Sequence, residues 1–206
     1  MRLVDQSVHD LLARFSSADP TPGGGSASAL ASAVGASLLL MVAGLPTTRT
    51  GSDDDRAALT SAAGVLGDIR RRLADAIDDD TSAYDQVVAA YKMPRASADE
   101  QTARAGVVQR ALRAATDVPL GVLRLSAAAI DEAITVAAHG HRAAASDVGV
   151  AVALLCAGAR GARLNVEINV GSISDAAYAD AVATETARLS DRAVRAADEA
   201  DALLGD

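Results

Sequence analysis

The sequence predicts an all-α fold, and three observations carry that prediction. About a quarter of the 206 residues are alanine, the strongest helix former. Apolar residues recur in steps of three and four over long stretches, the spacing of one helix face. Only four residues are aromatic, Phe15, Tyr84, Tyr91 and Tyr178. A core with so few rings must be filled by Leu, Val and Ile and by closely approaching backbones. With half its residues hydrophobic, the chain suffices for one domain over residues 1–206, a bundle of long helices around buried Ala/Gly-rich ones.

Leu3, Val4, Val8, Leu11, Leu12 and Phe15 are spaced for a first helix over 3–15. A loop at 17–25 follows, ending in Gly23, Gly24 and Gly25, and leads into an apolar helix at 26–45. Ala27 to Leu45 carries no charge, and its length alone would suit a membrane span. Ser28, Ser32, Ser37 and the many alanines keep its hydropathy modest, however, and acidic GSDDD follows where a cationic anchor would stand. It is therefore read as a central helix surrounded by protein, with no membrane partner.

From Asp53 the stripe Leu59, Ala62, Leu66, Ile69, Leu73, Ile77, Tyr84, Val87, Tyr91 describes one amphipathic helix of roughly 38 residues, about 57 Å long. Pro94 stops it. A second long arm begins near Ser97 and carries Val107, Val108, Ala111, Leu112 and Ala115. Pro119 removes a hydrogen bond there, which predicts a kink or break near Val118. The continuation ends at His139–Gly140–His141, and Ser146 is expected to N-cap the next helix with Asp147 in its first turn. NVEINV alternates like a strand, but with no second strand to pair with it is read as a helix end. Val182, Thr186, Leu189, Ala193, Ala196, Ala200 and Leu203 mark the last helix. Uncharged helices beside long ones imply burial on several sides, which leads us to expect a homodimer.

The net charge of −8 repels a phosphate backbone, and no basic stripe interleaved with aromatics offsets it, so no nucleic-acid partner is expected. Arg70–Arg71–Arg72 is answered at once by Asp75 and Asp78, as on a solvated face. Cys156 stands alone in an apolar run, where a thiol is usually inert. The lone cysteine and a start without a signal-like apolar stretch fit a reducing, cytoplasmic setting.

Four features could carry chemistry. Asp80 continues the buried stripe of its helix, with Tyr84 on the same face four residues on. A carboxylate there is either part of a structural network or a functional group. Asp147 at a helix start is stabilised as the anion, though an ordinary cap looks the same. Asn165 and Asn169, four apart, share a face and offer donors and acceptors to a polar heterocycle or to a buried amide network. Gly23 to Ser26 present unpaired N–H groups, without the spacing or lysine of a phosphate-binding loop. His139 and His141 lack further metal-ligand partners at a recognisable spacing, so they are read as exposed loop residues and no metal is expected. His9 is a lone helix residue.

In order, PTPGGGSASALASAVGASLLLMVAGL, IDDDTSAYDQVVAAYKMPR, ATDVPL and SDVGVAVALLCAGARGARLNVEINV resemble the cyclodeaminase/cyclohydrolase family over nearly the whole chain. That family includes the cyclodeaminase domain of formiminotransferase-cyclodeaminase and stand-alone methenyltetrahydrofolate cyclohydrolases. The resemblance implies an all-α, dimeric enzyme acting on the one-carbon bridge of a folate, with no metal or redox cofactor. It places a Gly-rich motif on Gly23, Gly24, Gly25 and Ser26, and an acid-and-aromatic motif on Asp80 and Tyr84. A Ser-Asp motif falls on Ser146 and Asp147, and an Asn motif on Asn165 and Asn169.

The chain departs from the family pattern at PTTRTGSDDD, which keeps Arg49 and turns acidic, and at His141, where asparagine is usual. The usual lysine after the long helix is Arg95, with Lys92 nearby. On this resemblance Asp80 is the expected general base, with a carboxyl pKa raised by desolvation and Tyr84 to orient it. Asp147 would pair with pterin N–H groups, and Lys92 and Arg95 would join the substrate-binding set. The expected reaction is hydrolysis of 5,10-methenyltetrahydrofolate, favoured because no formimino-transferring domain accompanies the chain. The alternatives are cyclodeamination of formimidoyltetrahydrofolate and a non-catalytic, heterocycle-binding dimer.

Overall fold

The structure is a computed structural model that describes residues 2–205. Six α-helices account for nearly all of it: α1 Val8–Phe15, α2 Gly24–Ala43, α3 Asp53–Tyr91, α4 Ala98–His139, α5 Ala145–Val170 and α6 Ala176–Leu204. Single 3-10 turns, Leu3–Asp5 and Arg142–Ala144, precede α1 and α5. No β-strand is present among the described residues, and NVEINV is the last turn and a half of α5, as expected.

The helix expected over 3–15 is interrupted. Ser7 caps α1 by accepting from the Asp10 amide. Ahead of it, the Leu3 amide donates to Asp78 Oδ1 at 2.6 Å, so a carboxylate on α3 caps the start of a separate turn, Leu3–Asp5. Tertiary contact overrides the local apolar spacing here.

α2 is the central helix, packed on α3, α4 and α5. Its contact with α5 is made by backbone and small side chains. A Cβ on Gly35 would meet the Ala151 carbonyl at 2.8 Å, and one on Gly158 of α5 would overlap Ser32. The two helices run antiparallel, with Gly24 near Asn165 and Gly35 near Ala151. Ser32 and Ser126 of α4 share a hydrogen bond of 2.7 Å, which satisfies both buried hydroxyls. By length and composition α2 and the 142–170 stretch would each suit a membrane span, but α2 lies in the protein core.

α3 opens with Ser52 accepting from the Asp55 amide, and Asp53, Asp54 and Asp55 complement the positive end of the helix. Its predicted stripe is buried from Leu59 to Ile77. The last three positions depart from it: Tyr84 is 41 % exposed, Val87 is half-buried and Tyr91 is 50 % exposed. α2 begins beside Asp80, and beyond that level α3 packs on α4, with Ile173 against the same cluster. A small satellite core of Ala90, Val108, Ala111 and Leu112 joins the two there.

α4 starts with a capping box of Ser97 and Glu100 and runs 42 residues. Of the kink or break expected near Val118, no break occurs. Pro119 lies buried inside one continuous helix, whose neighbours α3, α5 and α6 hold it in place. Ser146 is not the N-cap of α5 either. The turn Arg142–Ala144 feeds directly into the helix, Ala144 takes the cap position without a side-chain bond, and Ser146 is the second helical residue.

His139 is not a free loop residue. Its Nδ1 lies 2.8 Å from Asp55 Oδ1, and Asp55 also accepts from Thr48 Oγ1, Thr50 N and Thr50 Oγ1. Arg49 N donates to the His139 carbonyl at 2.8 Å, and Arg56 holds the carbonyls of Ala43, Leu45 and Pro46. Loop 44–52 is thereby bolted to α3 and to the end of α4. Asp55 is 5 % exposed, yet its bond to His139 and then those to Thr50 hold its carboxyl well below the ordinary carboxylate range.

Candidate active site

A helix start leaves its first N–H groups without partners. At the start of α2 no side chain from Gly23 supplies one. Asp80 does so from α3: its Oδ2 accepts from Ser26 N at 2.9 Å and from Ser26 Oγ at 3.0 Å. The same hydroxyl reaches the Ile77 carbonyl at 2.9 Å. The expected inward placement of Asp80 is therefore observed, and Ser26 is the residue that orients it.

The second oxygen, Oδ1, has no hydrogen-bond partner among the described residues and lies against Gly25. A Cβ at Gly25 would fall inside the carboxylate, so only glycine admits Asp80 at this distance. The amides of Gly24 and Gly25 take no acceptor among the described residues and point their positive end of the helix at the same place. Burial pushes the Asp80 carboxyl above its ordinary value of 3.8, and the two Ser26 bonds pull it partly back. Asp79, by contrast, is exposed, beside Asp75 and Asp78.

Asn165 stands next to the start of α2: a Cβ at Gly24 would lie 3.7 Å from its Nδ2. That nitrogen donates to the Gly161 carbonyl at 2.9 Å. Asn169, one turn on, donates from Nδ2 to the Ala115 carbonyl of α4 at 2.8 Å. Both side chains are half-buried at this end of the bundle.

Tyr84 makes no hydrogen bond to Asp80 among the described residues; it lies one turn beyond the α2 start, facing solvent. Lys92 and Arg95 are exposed at the far end of α3. Lys92 is twelve residues from Asp80, about 18 Å along the axis. A group at the reacting centre cannot touch both.

Ser146 and Asp147 fall elsewhere. From Asp147 to Asn165 is eighteen residues of α5, about 27 Å. They sit at the opposite end of the molecule, near a cavity of about 220 Å³ lined by Arg49, His141, Arg142 and Ala145. Within one chain the predicted residues are thus spread out: Gly24, Gly25, Ser26, Asp80, Asn165 and Asn169 gather at the start of α2, Lys92 and Arg95 lie beyond them on α3, and Ser146 and Asp147 lie at the opposite end.

Two features of this site escaped the sequence reading. One is Ser26 as the partner of Asp80, which no spacing rule connects across 54 residues. The other is the Ala115 carbonyl, although a signal for it exists: a proline inside a helical pattern leaves the carbonyl four residues back without its donor. No group of three or more His, Cys, Asp or Glu is placed to hold a metal among the described residues. Cys156 is half-buried, and burial raises its thiol pKa.

The chain is similar to proteins of known name over most of its length. The family model for formiminotransferase-cyclodeaminase matches residues 7–188. A methenyltetrahydrofolate cyclohydrolase of Methylorubrum extorquens is 39% identical over 176 residues, 85% of each chain. The formimidoyltransferase-cyclodeaminase of Sus scrofa is 28% identical over 85% of this chain, which spans 32% of that longer protein. The crystal structure of formiminotetrahydrofolate cyclodeaminase from Thermotoga maritima superposes with a TM-score of 0.87 at 26% identity, covering 97% of this chain and 96% of that one. The ordered motifs, the all-helical architecture and these matches agree: the chain belongs to the formiminotransferase-cyclodeaminase family.

Proposed function

We propose that this protein hydrolyses 5,10-methenyltetrahydrofolate to 10-formyltetrahydrofolate. The observation that carries the reading is Asp80: a half-buried carboxylate that, among the described residues, has no cation beside it, one oxygen held by Ser26 and the other unpartnered next to unpaired amides. The methenyl bridge is a cyclic amidinium, one carbon between two nitrogens that share a positive charge. Its carbon is already electrophilic, so the chemistry asks for a positioned water and a base, and draws on no cofactor.

In this reading Asp80 Oδ1 accepts a proton from water as the water oxygen bonds to the bridge carbon. The anionic carboxylate also stabilises the cation before attack. Asp80 returns the proton to N5, the bond from carbon to N5 breaks, and the hydroxyl loses its proton to become the formyl oxygen on N10. One proton is released overall. Asn165 and Asn169 face the pterin edge, and Lys92 and Arg95 are left for the distal anionic end of the substrate.

Cyclodeamination closes the same ring by attack of N10 on a formimino carbon with loss of ammonia. The same residues would serve it, and several relatives carry that name. The higher identity to the cyclohydrolase favours hydrolysis. Purified protein incubated with methenyltetrahydrofolate should accelerate loss of its near-UV absorbance, and Asp80→Asn should abolish turnover while keeping binding. Turnover within tenfold of wild type in that variant would remove Asp80 from the role. Formimidoyltetrahydrofolate in the same assay tests the alternative.

We further propose that the working form is a homodimer whose site combines both ends of the chain. α2 exposes Ala27, Val34, Ser37 and Met41, and α5 exposes Val150, Ala153, Ala157, Leu164 and Ile168. The helical register sets both stripes on one side of the α2–α5 pair, with Arg160 and Glu167 as charged residues among them. Ile168, 74 % exposed, is an unusual residue to leave in water. A two-fold mate laid antiparallel on this face would bring its Ser146 and Asp147 to the Asp80 end, spanning the ~27 Å that separates the groups within one chain. A cytoplasmic setting fits the lone thiol and the folate chemistry.

A further inference from the structure

α4 passes through Pro119 without interruption. In a regular helix the amide of residue 119 would donate to the carbonyl of Ala115, but proline has no N–H, so that carbonyl loses its donor. The vacancy is filled from α5, where Asn169 Nδ2 donates to the Ala115 carbonyl at 2.8 Å. A carbonyl can only accept. The contact therefore fixes the amide's orientation, with nitrogen on α4 and oxygen turned away from it.

Asn165, one turn back, also has its nitrogen committed, here to the Gly161 carbonyl of its own helix, and that nitrogen lies beside Gly24. With Asp80 Oδ1 also without a partner among the described residues, Asp80 and Asn169 both present acceptor oxygens at this end of the bundle, beside the Gly24 and Gly25 amides. A heterocycle edge rich in N–H groups is complementary to that surface.

We propose that Pro119 is a positioning residue for the substrate site: by withholding one helix amide it creates the acceptor that locks Asn169 oxygen-outward. The inference rests on the reading of Asn169 as substrate-facing. Pro119 touches no reacting atom and acts through Asn169 alone.

The test uses Pro119→Ala and Pro119→Val in the full-length protein. Both restore the amide at 119, which competes with Asn169 for Ala115, while Val keeps more of the buried volume. In nitrogen-edited NMR spectra the side-chain NH₂ signals of Asn169, assigned by their loss in Asn169→Ala, should shift in both variants. KM for methenyltetrahydrofolate should rise roughly tenfold in both, the scale of one displaced hydrogen bond, with kcat changed much less. In an Asn169→Ala background the same substitutions should change KM less than twofold.

Unmoved NH₂ signals would overturn the proposal whatever the kinetics show. So would an equal loss in the Asn169→Ala background, or rescue by Val of a defect seen with Ala, because either would mark a packing role. If the signals shift as expected but Asn169→Ala itself leaves KM unchanged, Asn169 does not face substrate, and the reading on which the proposal rests falls.

Discussion

Replacing Ser26 by alanine isolates the control that the protein exerts on Asp80. The hydroxyl is fully buried and donates one hydrogen, shared between Asp80 Oδ2 at 3.0 Å and the Ile77 carbonyl at 2.9 Å. The Ser26 amide at 2.9 Å survives the substitution. A hydrogen bond to a charged group contributes about 1.5–3 kcal/mol, and sharing puts this one at the low end. Each pKa unit corresponds to about 1.4 kcal/mol, so the Asp80 carboxyl should rise by roughly one further unit.

The sign follows from which form the bond favours. Ser26 stabilises the carboxylate, and its loss favours the acid, so the base is lost at a higher pH than in wild type. The acid limb of kcat/KM for methenyltetrahydrofolate should move up by about one unit, with little change on the plateau above it. Steady-state hydrolysis measured across the acid range reads this directly. A limb that stays in place, moves down, or is replaced by a uniform loss at every pH would refute the assignment of Asp80 as the titrating base.

Gly25→Ala should cut turnover by on the order of 10²-fold, because the new methyl must displace the Asp80 carboxylate from its place; circular dichroism should show the helices intact. Asp55 has the opposite pKa shift. Its depressed value means that the stabilisation it supplies is full above its ordinary 3.8 and is lost as pH falls through the folded value. Urea midpoints of wild type and Asp55→Asn should differ most at neutral pH and converge under strong acid. Mixed dimers test the shared site: Asp80→Asn and Asp147→Ala, each inactive alone, should regain activity when co-expressed. Random pairing makes half the dimers mixed with one intact site of two, so about a quarter of wild-type activity is expected; no recovery would refute a site built from two chains. Ile168→Glu should shift the protein to a smaller species in light scattering.

The fold was legible because alanine-rich helices of this length write their buried faces plainly into the spacing. Leu59 to Ile77 emerged residue for residue, and the inward turn of Asp80 followed from the same stripe. What failed did so for identifiable reasons. Tyr84 continues the stripe of α3, but a stripe says nothing of where the neighbouring helix begins, and α2 begins one turn too early to cover it. Pro119 breaks isolated helices, whereas here three packed neighbours and one asparagine compensate. His139 reads as a loop residue until Asp55, 84 residues away, is folded against it. Ser146 has the chemistry of a cap, but a preceding 3-10 turn takes the position. Local rules describe the elements; contacts distant in sequence decide their ends, and the candidate site lies at one of those ends.

The α2–α5 contact has a further consequence. Small residues recur along both helices at near-regular intervals, with Gly24, Ser28, Ser32 and Gly35 against Asn165, Gly161, Gly158 and Ala151. Such a ladder resembles itself after a displacement of one turn, about 5.4 Å, so on its own it specifies sliding distance poorly. Asp80 holding the first turn of α2, with Ser32 bonded to Ser126, supplies the missing stop. The proposed catalytic base is then also the pin that sets helix register. A lineage could not exchange it for another base without finding a new way to keep α2 from slipping.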